Sequence, residues 1–345
     1  MTTIYSNSVL LVGNWHWDIY EEALAHGFQA NGWDVIPFNT HSNVQKHCFT
    51  EMQMRLRYGP IIDRINRKLL RKFKYFSPSV VFINRSDMIY AETLREMKRM
   101  NKEVVLLLYH NDNPYIHVIK RLSMRHFFAC IPVADVTLVY RPENIKHVKR
   151  FGATKTAIFM PYYISYRHTP NTSDTSKCCD VVYVGHYEND GRGEIVDYLI
   201  RHGIKIKIYG YGWQYAQKKF GWRDGISVKN LWGKDYVRCI SSAKIGLVFL
   251  SSINQDVYSR RCFEITACGT LMIAPYTKEL AYLFSDGEEA ALFTSREDLL
   301  KKIEYYLIND TMRVKVSQKG MQRCRNNGND EVARIAQLIN SMQEW

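Results

Sequence analysis

The chain lacks most of the signatures that would settle its chemistry at a glance. No apolar run approaches the roughly 20 residues needed to cross a bilayer. The N-terminus, Met-Thr-Thr-Ile-Tyr-Ser-Asn, has no basic n-region, so nothing in it marks the chain for secretion. Its eight cysteines are scattered, Cys178-Cys179 is their only close pair, and no C-x-x-C occurs, so reduced thiols are expected. The eleven histidines show no H-E-x-x-H and no paired Cys/His spacing, which argues against structural zinc. G-x-S-x-G and a Walker loop are absent, and so is G-x-G-x-x-G after the first strand.

What is present belongs to a folded protein. The 345 residues are 46% hydrophobic and 23% charged, a length that suits two domains of roughly 150 residues each. A formal charge of +13 suggests polyanionic company, such as nucleotide phosphates or an anionic lipid surface. Nucleic acid is not expected, because no aromatic stacking platform or reading motif accompanies the charge.

The hydrophobic pattern alternates strand and helix. Val9–Gly13 reads as a buried strand ending in a glycine turn, followed by a helix over Ile19–Asn31 and a second strand at Asp34–Phe38. Arg55–Phe76 reads as one basic amphipathic helix, with Arg64, Arg67, Lys68, Arg71 and Lys72 opposite an apolar face. Its cationic face is a candidate for docking to a membrane or another polyanion. Strands at 80–83, 104–108, 135–140 and 156–160 complete a first sheet. The polar stretch 161–179 is aperiodic. A second set of strands begins at Asp180–Gly185 and continues at 205–210, 244–250, 271–274 and 291–293. The expected division is 1–165, a linker over 166–179, 180–330, and a last helix over 331–345.

Polar side chains just past the carboxyl ends of buried strands are where α/β folds place their sites. Asn14, His16 and Asp18 follow the first strand, and His110 and Asp112 follow the strand at 104–108. In the second half, Gly185 and Arg192 sit in a glycine turn feeding a helix. Gly212 and Trp213 end the strand at 205–210, where G-x-G occurs but Tyr215 stands at the third glycine position, against a nicotinamide site.

The most informative stretch is Asp256–Pro275, D-V-Y-S-R-R-C-F-E-I-T-A-C-G-T-L-M-I-A-P. Helical spacing runs from Tyr258 to Cys268, Gly269 stops the helix, and Leu271–Ala274 is a buried strand. A helix-borne carboxylate can take both hydroxyls of a ribose, and a neighbouring arginine can hold a diphosphate in forked geometry. Arg261, Phe263, Glu264, Ala267, Cys268 and Gly269 form R-x-F-E-x-x-A-C-G, which resembles the donor-site signature of the CgeB-like "glycosyl transferases group 1" family. Asp256-x7-Glu264 is similar to the E-x7-E element of retaining GT-B enzymes, with Asp replacing the first Glu.

The resemblance implies the GT-B fold: α/β, two Rossmann-like domains facing each other across a cleft, with a C-terminal helix crossing back to the first. It implies a glycosyltransferase that takes a nucleotide-sugar as co-substrate and moves the sugar to a glycan, lipid-linked or protein acceptor of the cell surface. Glu264 would bind the ribose. Arg261, Arg192 and Gly185 would hold the diphosphate, Gly212 and Trp213 would lie beside the base, and Phe263 belongs to the same motif. Asp256 would sit near the donor sugar. His16 and Asp112 are catalytic candidates on the acceptor side, with Asn14, Asp18 and His110 beside them. No D-x-D occurs to hold a divalent ion on the diphosphate, so a metal-independent reaction without cofactor is expected, with retention of configuration. The expected setting is cytoplasmic, with a peripheral seat on the inner membrane face. A sugar-nucleotide epimerase or hydrolase on the same fold, and a non-catalytic surface-assembly protein, are the alternative readings.

Overall fold

A computed structural model describes residues 7–42, 48–85, 87–115, 122–170, 179–222, 226–227 and 229–344. The expected segment 166–179 therefore lies partly outside the described residues, as do Cys178 and Trp345. The chain forms two compact units, Met1–Met160 with Glu331–Trp345, and Pro161–Asp330.

The first unit is built on six parallel strands. They are β1 (Ser8–Gly13), β2 (Asp34–Asn39), β3 (Val80–Asn84), β4 (Val105–His110), β5 (Val136–Val139) and β6 (Lys155–Ile158), in the order β2-β1-β3-β4-β5-β6. β1 is buried along its whole length, as a central parallel strand covered by helices on both faces must be. Its outgoing turn runs through a π-helix, Asp18–Glu22, into the helix Ala23–Ala30, in place of one regular helix from Ile19. The last helix, Glu331–Gln343, packs on Ala23–Ala30. A side chain at Gly27 would meet the Glu331 carbonyl and Ile335, and His26 Nδ1 lies 2.8 Å from Glu331 Oε1. The C-terminal helix is thus part of the first unit.

The basic segment is two helices, not one. Cys48–Leu56 ends at Arg57, whose φ is 53°, and Pro60–Phe76 begins after Gly59, whose φ is 113°. Proline is suited to the first helical turn because its missing N–H would have no partner there, so Pro60 starts a helix rather than continuing one. Gln53 closes the break by accepting the Ile61 N–H at 2.9 Å.

The second unit repeats the scheme with β7 (Cys179–Val184), β8 (Ile206–Tyr209), β9 (Ile226–Ser227), β10 (Ala243–Leu247), β11 (Leu271–Pro275) and β12 (Ala291–Phe293). All pairings are parallel, in the order β12-β11-β10-β7-β8-β9. The strand order reverses between β1 and β3 in the first unit and between β7 and β10 in the second. Such switch points leave a crevice at the carboxyl ends of the strands, where open α/β sheets bind ligands. Short helices at Arg125–Cys130, Asn144–Arg150, Trp213–Phe220 and Lys278–Leu283 were not expected from periodicity, since one or two turns are too short to display it.

Candidate functional site

The helix Arg260–Ala267 follows the β10 loop in the second unit. Arg260 and Glu264 are four residues apart and share a face, whereas the guanidinium of Arg261 turns to the end of β7. Glu264 is 5% exposed. The Tyr236 hydroxyl donates to its Oε2 at 2.6 Å, while His168 Nε2 and Arg260 Nε lie 3.8 and 4.0 Å from its Oε1. His168 is buried, and its Nδ1 accepts the Ile164 N–H at 2.8 Å. That bond puts the neutral ring's proton on Nε2, facing the carboxylate. Burial also pushes the His168 pKa down, against the pull of Glu264. Burial and the negative charge of Glu264 push the Tyr236 phenol well up, so it remains a donor. Arg260 stacks over the Tyr162 ring at 4.9 Å.

Arg261 reaches the end of β7 from the same helix, and its Nε donates to the Val184 carbonyl at 2.5 Å. A Cβ at Gly185 would lie 2.9 Å from its guanidinium and 2.5 Å from the Tyr183 hydroxyl. Glycine is what lets this cation lie across the turn. Gly210, with φ 147°, comes so close to the Gly185 carbonyl that no side chain fits between them. Gly212, with φ 91°, starts the helix Trp213–Phe220 against Tyr187. The glycines therefore serve a tight joint between the β7 and β8 turns.

Three expected donor residues stand elsewhere. Arg192 is 3% exposed and every guanidinium nitrogen is engaged. Its Nε and Nη2 donate to the two oxygens of Asp190 at 2.8 and 2.7 Å, and its Nη1 donates to the His186 carbonyl at 2.9 Å and the Tyr183 hydroxyl at 3.2 Å. It braces the β7 loop and has no donor to spare for a diphosphate. Trp213 is fully buried and donates to the Gly185 carbonyl at 2.8 Å, so it is core and not a wall for a base. Phe263 is fully buried 6.1 Å from Phe284, on the core side of its helix.

Asp256 is half-buried and closes the turn after β10, its N–H donating to the Ser251 carbonyl at 2.9 Å. Ser251 in turn donates to Glu188 at 2.9 Å, and that bond spans the β7/β10 switch point. His186 lies 2.8 Å from the same carboxylate and Arg192 lies 3.3 Å away. Burial raises the Glu188 pKa, but the His186 bond, the Arg192 charge and the Ser251 bond outweigh it and hold the carboxyl below its usual range.

The acceptor-side candidates lie in the first unit on loops after β1 and β4. His16 is exposed beyond Trp15, a positive-φ residue (52°), and its N–H donates to the Asn14 side chain at 3.1 Å. Asn14 donates its N–H to Glu21 at 3.2 Å. Asp18 opens the π-helix. His110 is buried, and its Nδ1 accepts the Asp112 N–H at 3.0 Å. Burial is the main force that pushes its pKa down to about 4, leaving a neutral ring with its proton on Nε2. Asp112 lies 3.7 Å from Arg85, which stacks over Tyr20 at 5.1 Å, and Asn111 contacts the Tyr20 hydroxyl at 3.4 Å. The β1 and β4 loops are thereby joined through Arg85 and Tyr20.

Tyr236, His168, Arg260, Glu188 and Arg85 were missed from the sequence. The alternation His186-x-Glu188-x-Asp190 before Gly191-Arg192 was a readable signal. His168 lay in a stretch with no periodicity, and nothing in the sequence marked Tyr236.

Two parallel six-stranded units of this kind, with a C-terminal helix returning to the first, define the GT-B class. Residues 192–340 match the family model described as glycosyl transferase-like. Sucrose-phosphate synthase from Thermosynechococcus elongatus is similar over 98% of this chain and 99% of its own, at 16% identity and a TM-score of 0.68. A Rickettsia africae glycosyltransferase matches over 98% of each chain at 10% identity and a TM-score of 0.70. Anabaena HepE, solved in complex with UDP and glucose, matches over 98% of this chain and 100% of its own at 10% identity and a TM-score of 0.64. These likenesses carry the fold. No curated protein sequence matched. Residues 192–340 are thus similar to the glycosyl transferase-like family, and the whole chain has the GT-B fold.

Proposed function

We propose that the protein transfers a glycosyl group from a nucleotide-sugar, held by the second unit, to an acceptor hydroxyl held by the first. The observation that carries this reading is Glu264 on the helix Arg260–Ala267, ringed by Tyr236, His168 and Arg260, with Arg261 beside it at the end of β7. The R-x-F-E-x-x-A-C-G stretch, which holds Arg261 and Glu264, supports a CgeB-like reading. HepE, of the same fold, was solved with UDP and glucose, which supports a nucleoside diphosphate at this helix.

In this reading Glu264 accepts the ribose hydroxyls, taking them in exchange for the Tyr236 hydroxyl. Arg261 and the first-turn N–H groups of its helix meet the charge that builds on the leaving diphosphate, without a metal. Asp256 borders the donor sugar. His16 and Asp112 are the acceptor-side groups, and configuration is retained. Acceleration comes from leaving-group stabilisation and from alignment of the acceptor hydroxyl away from water.

Calorimetric titration with UDP, GDP, CDP and ADP, with and without magnesium, tests the site. One nucleoside diphosphate should bind irrespective of magnesium, and Glu264→Gln should weaken it roughly 10- to 100-fold, as expected for hydrogen bonds to a charged group. Full affinity in Glu264→Gln would remove the ribose assignment. Product formed from the donor alone would favour an epimerase or hydrolase, and no binding of any nucleotide a non-catalytic protein.

A further inference from the structure

The basic segment poses a problem that its helical pattern hides. A membrane-surface helix inserts its own apolar face between lipids. In Pro60–Phe76 that face is already spent: Ile62, Ile65, Leu69 and Phe73 are 0–7% exposed in the core of the first unit. Outside remain mainly the cations, with Asp63 in the first turn and Tyr75 at the helix end. Arg64, Arg67, Lys68 and Arg71 follow one another at i, i+3, i+4 and i+7, all are exposed, and together they line an open groove of about 470 Å³. Lys72 is not among them, since its ammonium donates to the Pro37 carbonyl at 2.6 Å.

The preceding helix has what this one lacks. Phe49, Met52 and Leu56 are 65%, 47% and 55% exposed, and their spacing of three and four places them on one face of Cys48–Leu56. Tyr58 follows at 69% exposure in the turn between the helices. Single exposed apolar residues are ordinary on a protein surface, but three on one face of a helix that packs against the four-cation helix are not. The acids on the two helices do not cancel the charge. They are Glu51 and Asp63, and Asp63 accepts the Tyr90 hydroxyl at 2.9 Å.

We propose that these two helices dock the first unit on an anionic lipid surface. Phe49, Met52, Leu56 and Tyr58 enter the headgroup–acyl boundary, and Arg64, Arg67, Lys68 and Arg71 hold lipid phosphates. Charge selects this occupant. Four cations at helical spacing repel a second copy of themselves, while an anionic leaflet attracts each of them within a Debye length. A glycosyl acceptor anchored in that leaflet would be delivered to the same unit that carries His16 and Asp112. That last step rests on the glycosyl-transfer reading; the docking itself does not.

Co-sedimentation of the whole protein with vesicles tests the docking and needs no donor, acceptor or turnover, so its failure would leave the transfer reading standing. Binding is expected to phosphatidylcholine vesicles containing phosphatidylglycerol, to be much weaker with phosphatidylcholine alone, and to fall with rising sodium chloride. Arg67→Gln/Lys68→Gln/Arg71→Gln should lower partitioning by about 5-fold per cation removed. Phe49→Ser/Met52→Ser/Leu56→Ser should abolish the salt-resistant fraction. All these side chains are exposed, so unchanged thermal melting shows that both variants fold. Equal binding to neutral and anionic vesicles would overturn the proposal. So would a loss in the cation variant with none in the apolar one, which would mark a site for a small anion. A dimer in sedimentation velocity that disappears in the apolar variant would assign the stripe to a second copy.

Discussion

The two switch points invite comparison, because each is bridged by a buried glutamate and the two glutamates are treated in opposite ways. In the first unit Glu21 is fully buried beneath Gly13, in a position that leaves no room for a side chain there. Asn84 at the end of β3 donates to its Oε1 at 2.9 Å, and its Oε2 is buried with no hydrogen-bond partner among the described residues. Burial pushes this carboxyl above its usual range, against the bonds from Asn84 and Asn14 and the charge of Arg85. In the second unit Glu188 bridges β7 and β10, but His186, Arg192 and Ser251 surround it and hold its carboxyl below the usual range. The same residue type at the same topological position has its carboxyl pushed up by burial in one unit and held down as a braced charge in the other. Neighbours decide this, because desolvation alone would raise both.

The sharpest way to break the comparison is to remove the braced charge. Glu188→Ala leaves Arg192 buried with only Asp190 to pair it. It should cost about 3 kcal/mol of stability, at the low end for a broken buried pair because that second carboxylate remains; denaturant unfolding measures it. Gly210→Ala attacks the joint beneath, since a Cβ would collide with the Gly185 carbonyl and φ is 147°. A loss of about 2–3 kcal/mol is expected, together with weaker nucleotide binding.

Acidity separates the units next. The stability that Glu188 contributes is present above its unfolded pKa and disappears as pH falls through its depressed folded value. Glu21 does the reverse: its folded pKa is raised, so the fold loses stability as pH rises from the ordinary 4.5 through the folded value. Glu188→Gln should therefore flatten the acid limb of the stability–pH curve, and Glu21→Gln the limb above it. The smallest effect is Glu21→Gln at neutral pH. Its amide can give Asn84 the donor that an ionised carboxylate lacks, so a change within about 1 kcal/mol is expected. A cost comparable to that of Glu188→Ala would show that Glu21 is needed as a charge.

The sequence displayed the frame well. Short apolar runs ending in glycine turns, separated by helical spacing, announced two parallel α/β units. The Glu264 helix, with Gly269 to stop it and a buried strand behind it, lay in plain view. The break between Leu56 and Pro60 was legible in Gly59-Pro60 but lost beneath a continuous run of basic residues. The roles of Arg192, Trp213 and Phe263 were not legible. A charged residue in a glycine turn has the same spacing whether its guanidinium faces a ligand or Asp190. An aromatic after a strand reads alike whether it lines a pocket or fills the core.

By itself, then, the sequence determined the alternation of elements, the positions of the turns and which face of each helix is apolar. These follow from backbone sterics and from periodicities of 2 and 3.6 residues, which are local. Only the tertiary structure decided which charges are spent on one another and which are left to act. Arg192 is committed to Asp190, and Tyr236 and His168 come to Glu264 from segments 28 and 96 positions away in the numbering. Partnership across such distances depends on how strands are ordered in a sheet, and no local pattern carries that order.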